Sequence, residues 1–362
     1  MQHSVNSPVR GKASRPRVLL VATHYPQLSQ TYIKSELKAL GEDYEIKVVA
    51  TSVPNFEDPE HPPFERIENF QRMIEIVRSF RPTVIHGHYL VQARLLSALA
   101  AVTDTPFTIR AHSFDSIVTE TRRPKHLDRL TAELDFEHCL GILAMPFTRP
   151  FLESSGLPAT LIVDAPPVID FHHFYNRAKN GTGIMNIGAC LPKKRMEDFV
   201  DLAARMPSLE FNLYPIGYDT AKIAALNAER GGRLTIHEPR PFSAMPAVYK
   251  KHDWLVYTAC PALKSVGWPM AVAEAQASGV AVCMAHIRPD LVDYVGDAGY
   301  LYESISDVER IIDQPPPAPM REAGFDRARS WDIKTNIHLL TDLWASIPDR
   351  AESAARRSIQ RP

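Results

Sequence analysis

The sequence predicts a two-domain α/β protein in which two Rossmann-like domains face each other across a cleft. Three observations carry that expectation. The chain has 362 residues, more than one ordinary domain holds. Short β-branched runs alternate with amphipathic segments throughout, as they do where helices cross between parallel strands. The alternation runs twice, and PPVIDFHHFYNRAKNGTG (166–183), rich in turn formers, separates the two series.

In the first series, VLLVAT (18–23) reads as a buried strand. SQTYIKSELKALG follows as a helix with Tyr32, Ile33, Leu37 and Leu40 on one face, Ser29 as its N-cap and Gly41 as its stop. EIKVVATS is the next strand. Ile67, Phe70, Met73, Ile74, Val77 and Phe80 recur at helical spacing, and TVIHGH, FTIRAH, GILAM and TLIVDA continue as strands. Only TSVPNFEDPEHPPFE separates the second strand from that helix, so the first domain reads as trimmed, which argues against an extended acceptor site on it.

The second series reads as strands at IMNIGA, LEFNLYPIG, RLTIHE, WLVYTA, VAVCMA and GYLYE. SWDIKTNIHLLTDLWASI then keeps Ile333, Ile337, Leu340, Trp344 and Ile347 on one face of a final helix, the kind that packs back on the first lobe. The expected bounds are a flexible arm at 1–16, a first domain at 17–168 and a linker at 169–183. A second domain follows at 184–330, then a returning helix at 331–348 and a tail at 349–362.

Composition narrows the function. Lys and Arg number 41 against 42 Asp and Glu, a net charge of −1 without the basic footprint of a nucleic-acid binder. Four scattered cysteines form no C-x-x-C pair, which points to neither a disulfide framework nor a zinc cage and fits a reducing cytosol. The longest apolar-leaning stretch, Trp268 to Ala285, is interrupted by Glu274 and Gln276, too early for a membrane span. The basic N-terminus lacks the apolar core of a secretory signal. Its Arg10, Lys12, Arg15 and Arg17 leave room for peripheral contact with the inner membrane face.

Several chemistries are missing: there is no Walker loop, no nucleophile elbow and no H-E-x-x-H. The one G-x-G, Gly181-Thr182-Gly183, precedes a strand and so fails the context test for dinucleotide binding. His86-Gly87-His88 offers two metal ligands but no evident third, so no metal is expected. His172 and His173 read as linker surface.

The informative segment is SVGWPMAVAEAQASGVAV (265–282): a tight Gly-Trp-Pro loop, a helix from about Met270 to Ser278, then Gly279 and a buried strand. A helix N-terminus after a glycine loop presents free N–H groups and the positive end of a dipole, a natural place for a diphosphate. Glu274, on the first turns, could reach ribose hydroxyls. Taken alone, the segment reads better as a buried crossover with Glu274 on its solvent edge.

It does not stand alone. It resembles the E-x7-E region of family-4 retaining glycosyltransferases of the GT-B architecture, and other stretches match in the same order. YPQLSQTYIKSELKAL is similar to their first strand–loop–helix, TVIHGHY and FTIRAHSFDS to their H-x-H and A-H-x-x-D strand ends. PPVIDFHHF resembles their linker, NIGACLPKKRMEDFVDLAARMP their G-R-L-x-x-x-K-G segment, and AVYKKHDWLVYTAC and RPDLVDYVGDAGYLY their donor-domain strands. The likeness spans residues 17–350.

It implies transfer of a sugar from a nucleotide-diphospho-sugar to a saccharide or glycolipid acceptor, with retention and without a required metal or cofactor. Lys194, with Lys193 as its neighbour in register, would neutralise the leaving diphosphate. His112 would sit near the reacting carbon, with Asp115 orienting its loop. Glu274 would hold the ribose, and Gly188, Gly267, Trp268, Pro269 and Met270 would face sugar and diphosphate. Ser29 and Gln30 would approach from the first domain.

Two positions depart from the family pattern. The first Glu of E-x7-E is Val266, and the Arg expected after Gly188 is Ala189. Three readings stay open: a neighbouring cation, Arg195 or Lys264, replaces the Arg; the donor is an unusual sugar, deoxy or amino; or the chain has kept the fold and lost catalysis to act as a binding scaffold. A nucleotide-sugar epimerase would need a pair of carboxylates in the cleft, and none is evident.

Overall fold

The computed structural model describes residues 15–54 and 57–347. Most of the basic N-terminal arm and the C-terminal tail lie outside these residues. Arg15 donates to the Gly41 carbonyl at 3.0 Å and Arg17 pairs with Glu45 at 2.9 Å, so these two cations are already engaged. No helix among the described residues is long and apolar enough to cross a membrane.

Two parallel sheets organise the chain. The first holds β1 (Arg17–His24), β2 (Glu45–Ser52), β3 (Phe64–Arg66), β4 (Val84–His88), β5 (Phe107–Arg110), β6 (Cys139–Ala144) and β7 (Ile162–Asp164), in the order β3-β2-β1-β4-β5-β6-β7. The second holds β8 (Gly183–Ala189), β9 (Phe211–Ile216), β10 (Leu234–Ile236), β11 (His252–Tyr257), β12 (Ala281–Ala285) and β13 (Gly299–Tyr302), in the order β10-β9-β8-β11-β12-β13. Strands buried on both faces need continuous apolar runs, and VLLVA of β1 and AVCMA of β12 supply them.

Five details differ from the sequence reading. The first helix starts at Thr31 with Gln30, not Ser29, at its N-cap, and the next starts at Phe70, with Ile67 buried ahead of it. The stretch taken as a bare loop contributes the edge strand β3, and its Asp58 is buried in an ion pair with Lys34. His173 is not at the linker surface: its Nε2 lies 3.1 Å from the Phe242 carbonyl oxygen and its ring stacks on Phe242. The final amphipathic segment is two helices, Ile333–Asn336 and His338–Ala345.

The second of these helices packs on the first sheet, where Leu340 and Trp344 join Val18, Val84 and Leu143 in one apolar cluster. Trp344 meets Tyr44 edge-on at 5.2 Å and donates its indole N–H to Thr108 Oγ1 at 3.1 Å. Trp344→Ala would open a cavity and remove one of the two partners of that hydroxyl, which keeps His86 Nδ1 at 2.8 Å. A loss of about 3–5 kcal/mol is expected by denaturant unfolding, and a loss below about 1 kcal/mol would contradict this packing.

Candidate functional site

Ligands in open parallel sheets bind outside the strand C-termini where the strand order reverses. In the first sheet that point lies between β1 and β4, and in the second between β8 and β11. Both face the same gap, which holds a cavity of about 550 Å³ lined by Thr23, His24 and His112 on one side and Lys193, Lys194, Tyr257 and Gly267 on the other. A smaller pocket of about 160 Å³ adjoins it at Ser29, Ala189, Lys194, Tyr257 and Met270, and extends to Gly188, Ile216, Arg240, Met245 and Glu274.

Lys194 stands where the two spaces meet. It closes a 3-10 turn, Pro192–Lys194, and its Nζ lies 5.1 Å from the centre of the Tyr257 ring. Burial pulls its ammonium down to about 8, although Cys190 and Glu274 nearby work the other way. Burial, then Lys194 and Arg122, bring Lys193 down to about 8 as well. Gly188, at φ +128°, leaves room for the ammonium: a Cβ there would come within 2.1 Å of Lys194 Nζ. Gly188→Ala is expected to displace that charge. Activity should fall far more steeply than thermal stability, and an unchanged kcat would contradict the arrangement.

Glu274 is the fifth residue of the Met270–Ala277 helix and is buried, not at a solvent edge. Its Oε1 accepts from Thr31 Oγ1 at 3.1 Å, across the cleft, and its Oε2 from the Tyr249 hydroxyl at 2.8 Å. Burial pushes its carboxyl above the ordinary value, with Tyr249, Thr31 and Lys194 opposing. Each oxygen keeps a further lone pair for a ligand hydroxyl.

The loop ahead of this helix is fixed from below. Arg288 grips Asp290 at 2.8 and 3.0 Å and donates to the carbonyls of Lys264 (2.9 Å) and Val266. Asp290 accepts the Trp268 indole N–H at 2.8 Å, Trp268 stacks on Tyr294 at 5.1 Å, and the Tyr294 hydroxyl donates to the Pro269 carbonyl at 2.6 Å. Gly267, Trp268 and Met270 therefore reach the larger cavity on a rigid support, and Pro269 reaches the smaller pocket.

Across the gap, His112 follows β5 and begins the short Ser113–Ser116 helix. Asp115 accepts the His112 N–H at 2.8 Å with one oxygen and the Leu90 N–H with the other. Burial raises the Asp115 carboxyl to about 7 against the pull of these N–H groups. The His112 ring lies 4.5 Å from that of Tyr32 and 4.4 Å from that of Tyr89. Asp115 lies outside the cavity lining, and so does Gln30, which is buried with its amide 3.5 Å from the Tyr89 hydroxyl.

The two departures from the family pattern both face the cavity: Val266 and Ala189 line it. Neither proposed substitute cation does. Arg195 turns outward onto Asp198 at 2.7 Å, and Lys264 lies 3.7 Å from Glu120. The cations that line the two spaces include Lys193, Lys194, Arg110 and Arg240. Arg240 lies in no motif, and no local signal singles it out.

The His86–His88 pair has the third ligand-type group that the sequence reading lacked. Glu36, from the Thr31–Leu40 helix, brings a carboxylate oxygen to within 4.8 Å of both imidazoles, and all three side chains are buried. The Arg110 guanidinium already donates to that carboxylate at 2.8 Å and supplies the positive charge there.

No family model and no curated protein matches the sequence. Solved structures do match. Anabaena HepE in complex with UDP-glucose is 12% identical, over 91% of this chain and 99% of that one, with a TM-score of 0.75. The sucrose-phosphate synthase of Thermosynechococcus elongatus is 16% identical over 94% and 100%, with a TM-score of 0.72. The lipopolysaccharide outer core galactosyltransferase WaaB is 14% identical over 91% and 99%, with a TM-score of 0.62. At such identities the likeness is one of fold: this chain has the GT-B architecture.

Proposed function

We propose that the protein transfers a sugar from a nucleotide-diphospho-sugar to a saccharide or glycolipid acceptor, with retention at the anomeric carbon. The observation that carries the reading is the convergence of Lys194, Glu274 and the N-terminus of the Met270–Ala277 helix on the seam between two joined pockets opposite His112. The smaller pocket suits a nucleoside, with Glu274 toward the ribose and Arg240 toward the base. The diphosphate would lie between Lys194 and the helix N-terminus, where fixed positive charge stabilises the charge that develops on the leaving group. This places the countercharge on the chain itself, so turnover is expected to persist in a chelator. That HepE is solved in complex with UDP-glucose and that WaaB is a galactosyltransferase supports the reading.

Val266, 4% exposed, makes the sugar side of the larger cavity apolar together with Trp268. A site without a hydrogen-bond acceptor there suits a deoxy-type sugar. The test is an assay of the pure protein with hexose and deoxyhexose conjugates of UDP, GDP, dTDP and ADP, in the presence of saccharide and glycolipid acceptors. Release of one nucleoside diphosphate is expected, best from a deoxy donor. Saturable turnover with an ordinary UDP-hexose would contradict the assignment of Val266. Binding of a nucleoside diphosphate with no turnover of any donor would favour the second reading, a non-catalytic scaffold, which Ala189 and Val266 support.

A further inference from the structure

Behind His112 lies a chain of buried groups that the transfer reading does not use. His88, at the end of β4, has its Nδ1 3.1 Å from His112 Nε2, and the two rings stack at 5.4 Å. On its other side, His88 Nε2 lies 3.3 Å from Glu36 Oε1. The same oxygen is 2.8 Å from His86 Nε2, and Arg110 Nε donates to the second oxygen at 2.8 Å. His86 Nδ1 lies 2.8 Å from Thr108 Oγ1, the atom that accepts the Trp344 indole N–H. Glu36, His86 and His88 are all fully buried.

The proton positions follow by elimination. Burial works to raise the Glu36 carboxyl, but Arg110, then His86 and His88, outweigh it and hold the group well below the usual carboxylate range, so it is an anion. A bare ring nitrogen 3.3 Å from an anionic oxygen would be repelled, so His88 carries a proton on Nε2. Arg110 already neutralises Glu36, and a charged imidazole would put a second cation on one buried carboxylate, so the His88 ring is neutral and its Nδ1 is a lone pair. That lone pair needs a donor, and His112 Nε2 is the atom placed to be one. Burial, then His88 and Arg110, also hold His112 well below the usual imidazole range.

We propose that Glu36 and His88 are positioning residues that lock His112 as the neutral tautomer with its proton on Nε2 and its lone pair on Nδ1. The importance of His112 rests on the functional reading above; the lock itself does not. With Nε2 committed to His88, His112 has no proton to give a leaving group and can only accept a hydrogen bond through Nδ1. A divalent ion held by Glu36, His86 and His88 is the competing arrangement. It would set a second positive group beside Arg110 on one buried carboxylate.

The experiment is nitrogen NMR of full-length protein carrying 15N-labelled imidazoles, with His112 assigned by the His112→Asn spectrum. Wild-type His112 should show the Nε2–H tautomer, unchanged from pH 6 to 9 and unchanged by a chelator. Glu36→Gln should mix or reverse the tautomers of His88 and His112, because an amide can donate where the carboxylate only accepts. Proton on Nδ1 in the wild type, a doubly protonated ring at neutral pH, or a chelator-sensitive stoichiometric metal would each overturn the proposal. The wild-type spectrum decides even if Glu36→Gln fails to fold. The spectrum needs no donor, so an inactive protein with the expected tautomer would count against the transferase reading alone. In an active protein, Glu36→Gln should lower kcat about tenfold to a hundredfold with donor KM nearly unchanged.

Discussion

Lys194→Ala is expected to abolish sugar transfer while leaving the fold intact. The ammonium occupies the seam between the two pockets, over Tyr257 and against Gly188, and its removal takes away a preorganised charge next to the proposed diphosphate. Loss of one such electrostatic group costs about 10²–10³ in kcat. The fold should tolerate it, since the lysine lies on a cleft loop and not in the apolar core. Activity should also depend on pH with a defined sign. Burial brings Lys194 down to about 8, so the charged form is lost as pH rises through that value, and kcat/KM should fall on the alkaline side. A bound diphosphate favours the charged form, so the corresponding fall in kcat should lie at higher pH. Near-normal transfer by Lys194→Ala would remove the lysine from the mechanism.

The second large effect is expected at Glu274. Its carboxylate is buried, faces the smaller pocket and already accepts from Thr31 and Tyr249. Ribose hydroxyls would complete its set of donors. Hydrogen bonds to a charged acceptor contribute about 1.5–3 kcal/mol, so Glu274→Ala should weaken nucleoside diphosphate binding by about one to two orders of magnitude. Titration calorimetry of both proteins would measure this. Equal affinities would move the ribose away from Glu274.

The strands of both sheets were largely legible because doubly buried parallel strands require continuous apolar runs, as in VLLVA and AVCMA. β3 escaped notice because Phe-Glu-Arg at a sheet edge is half exposed and needs no such run. The start of the Met270–Ala277 helix was legible from the Gly-Trp-Pro loop, a local signal. What no local signal gives is convergence. Thr31 meets Glu274 across 243 positions, and Trp344 meets Thr108 across 236. The third partner of His86 and His88 was likewise hidden, because Glu36 reaches them from a helix between other strands. The missing arginine at Ala189 was legible, but the cations around the pockets were not: Arg195, close by in sequence, turns outward onto Asp198, while Arg240 reaches the smaller pocket.

On the proposed reading, the seam between the two domains binds a nucleoside diphosphate through Lys194 and Glu274. A thermal-shift screen of the pure protein with UDP, GDP, dTDP and ADP tests it most directly. A ligand at a hundred times its dissociation constant adds about 2.7 kcal/mol of stability, a readily visible rise in Tm. A clear rise with one of the four, lost or much reduced in Glu274→Ala and Lys194→Ala, is the predicted result. No rise with any of them, or an equal rise in both variants, would contradict it.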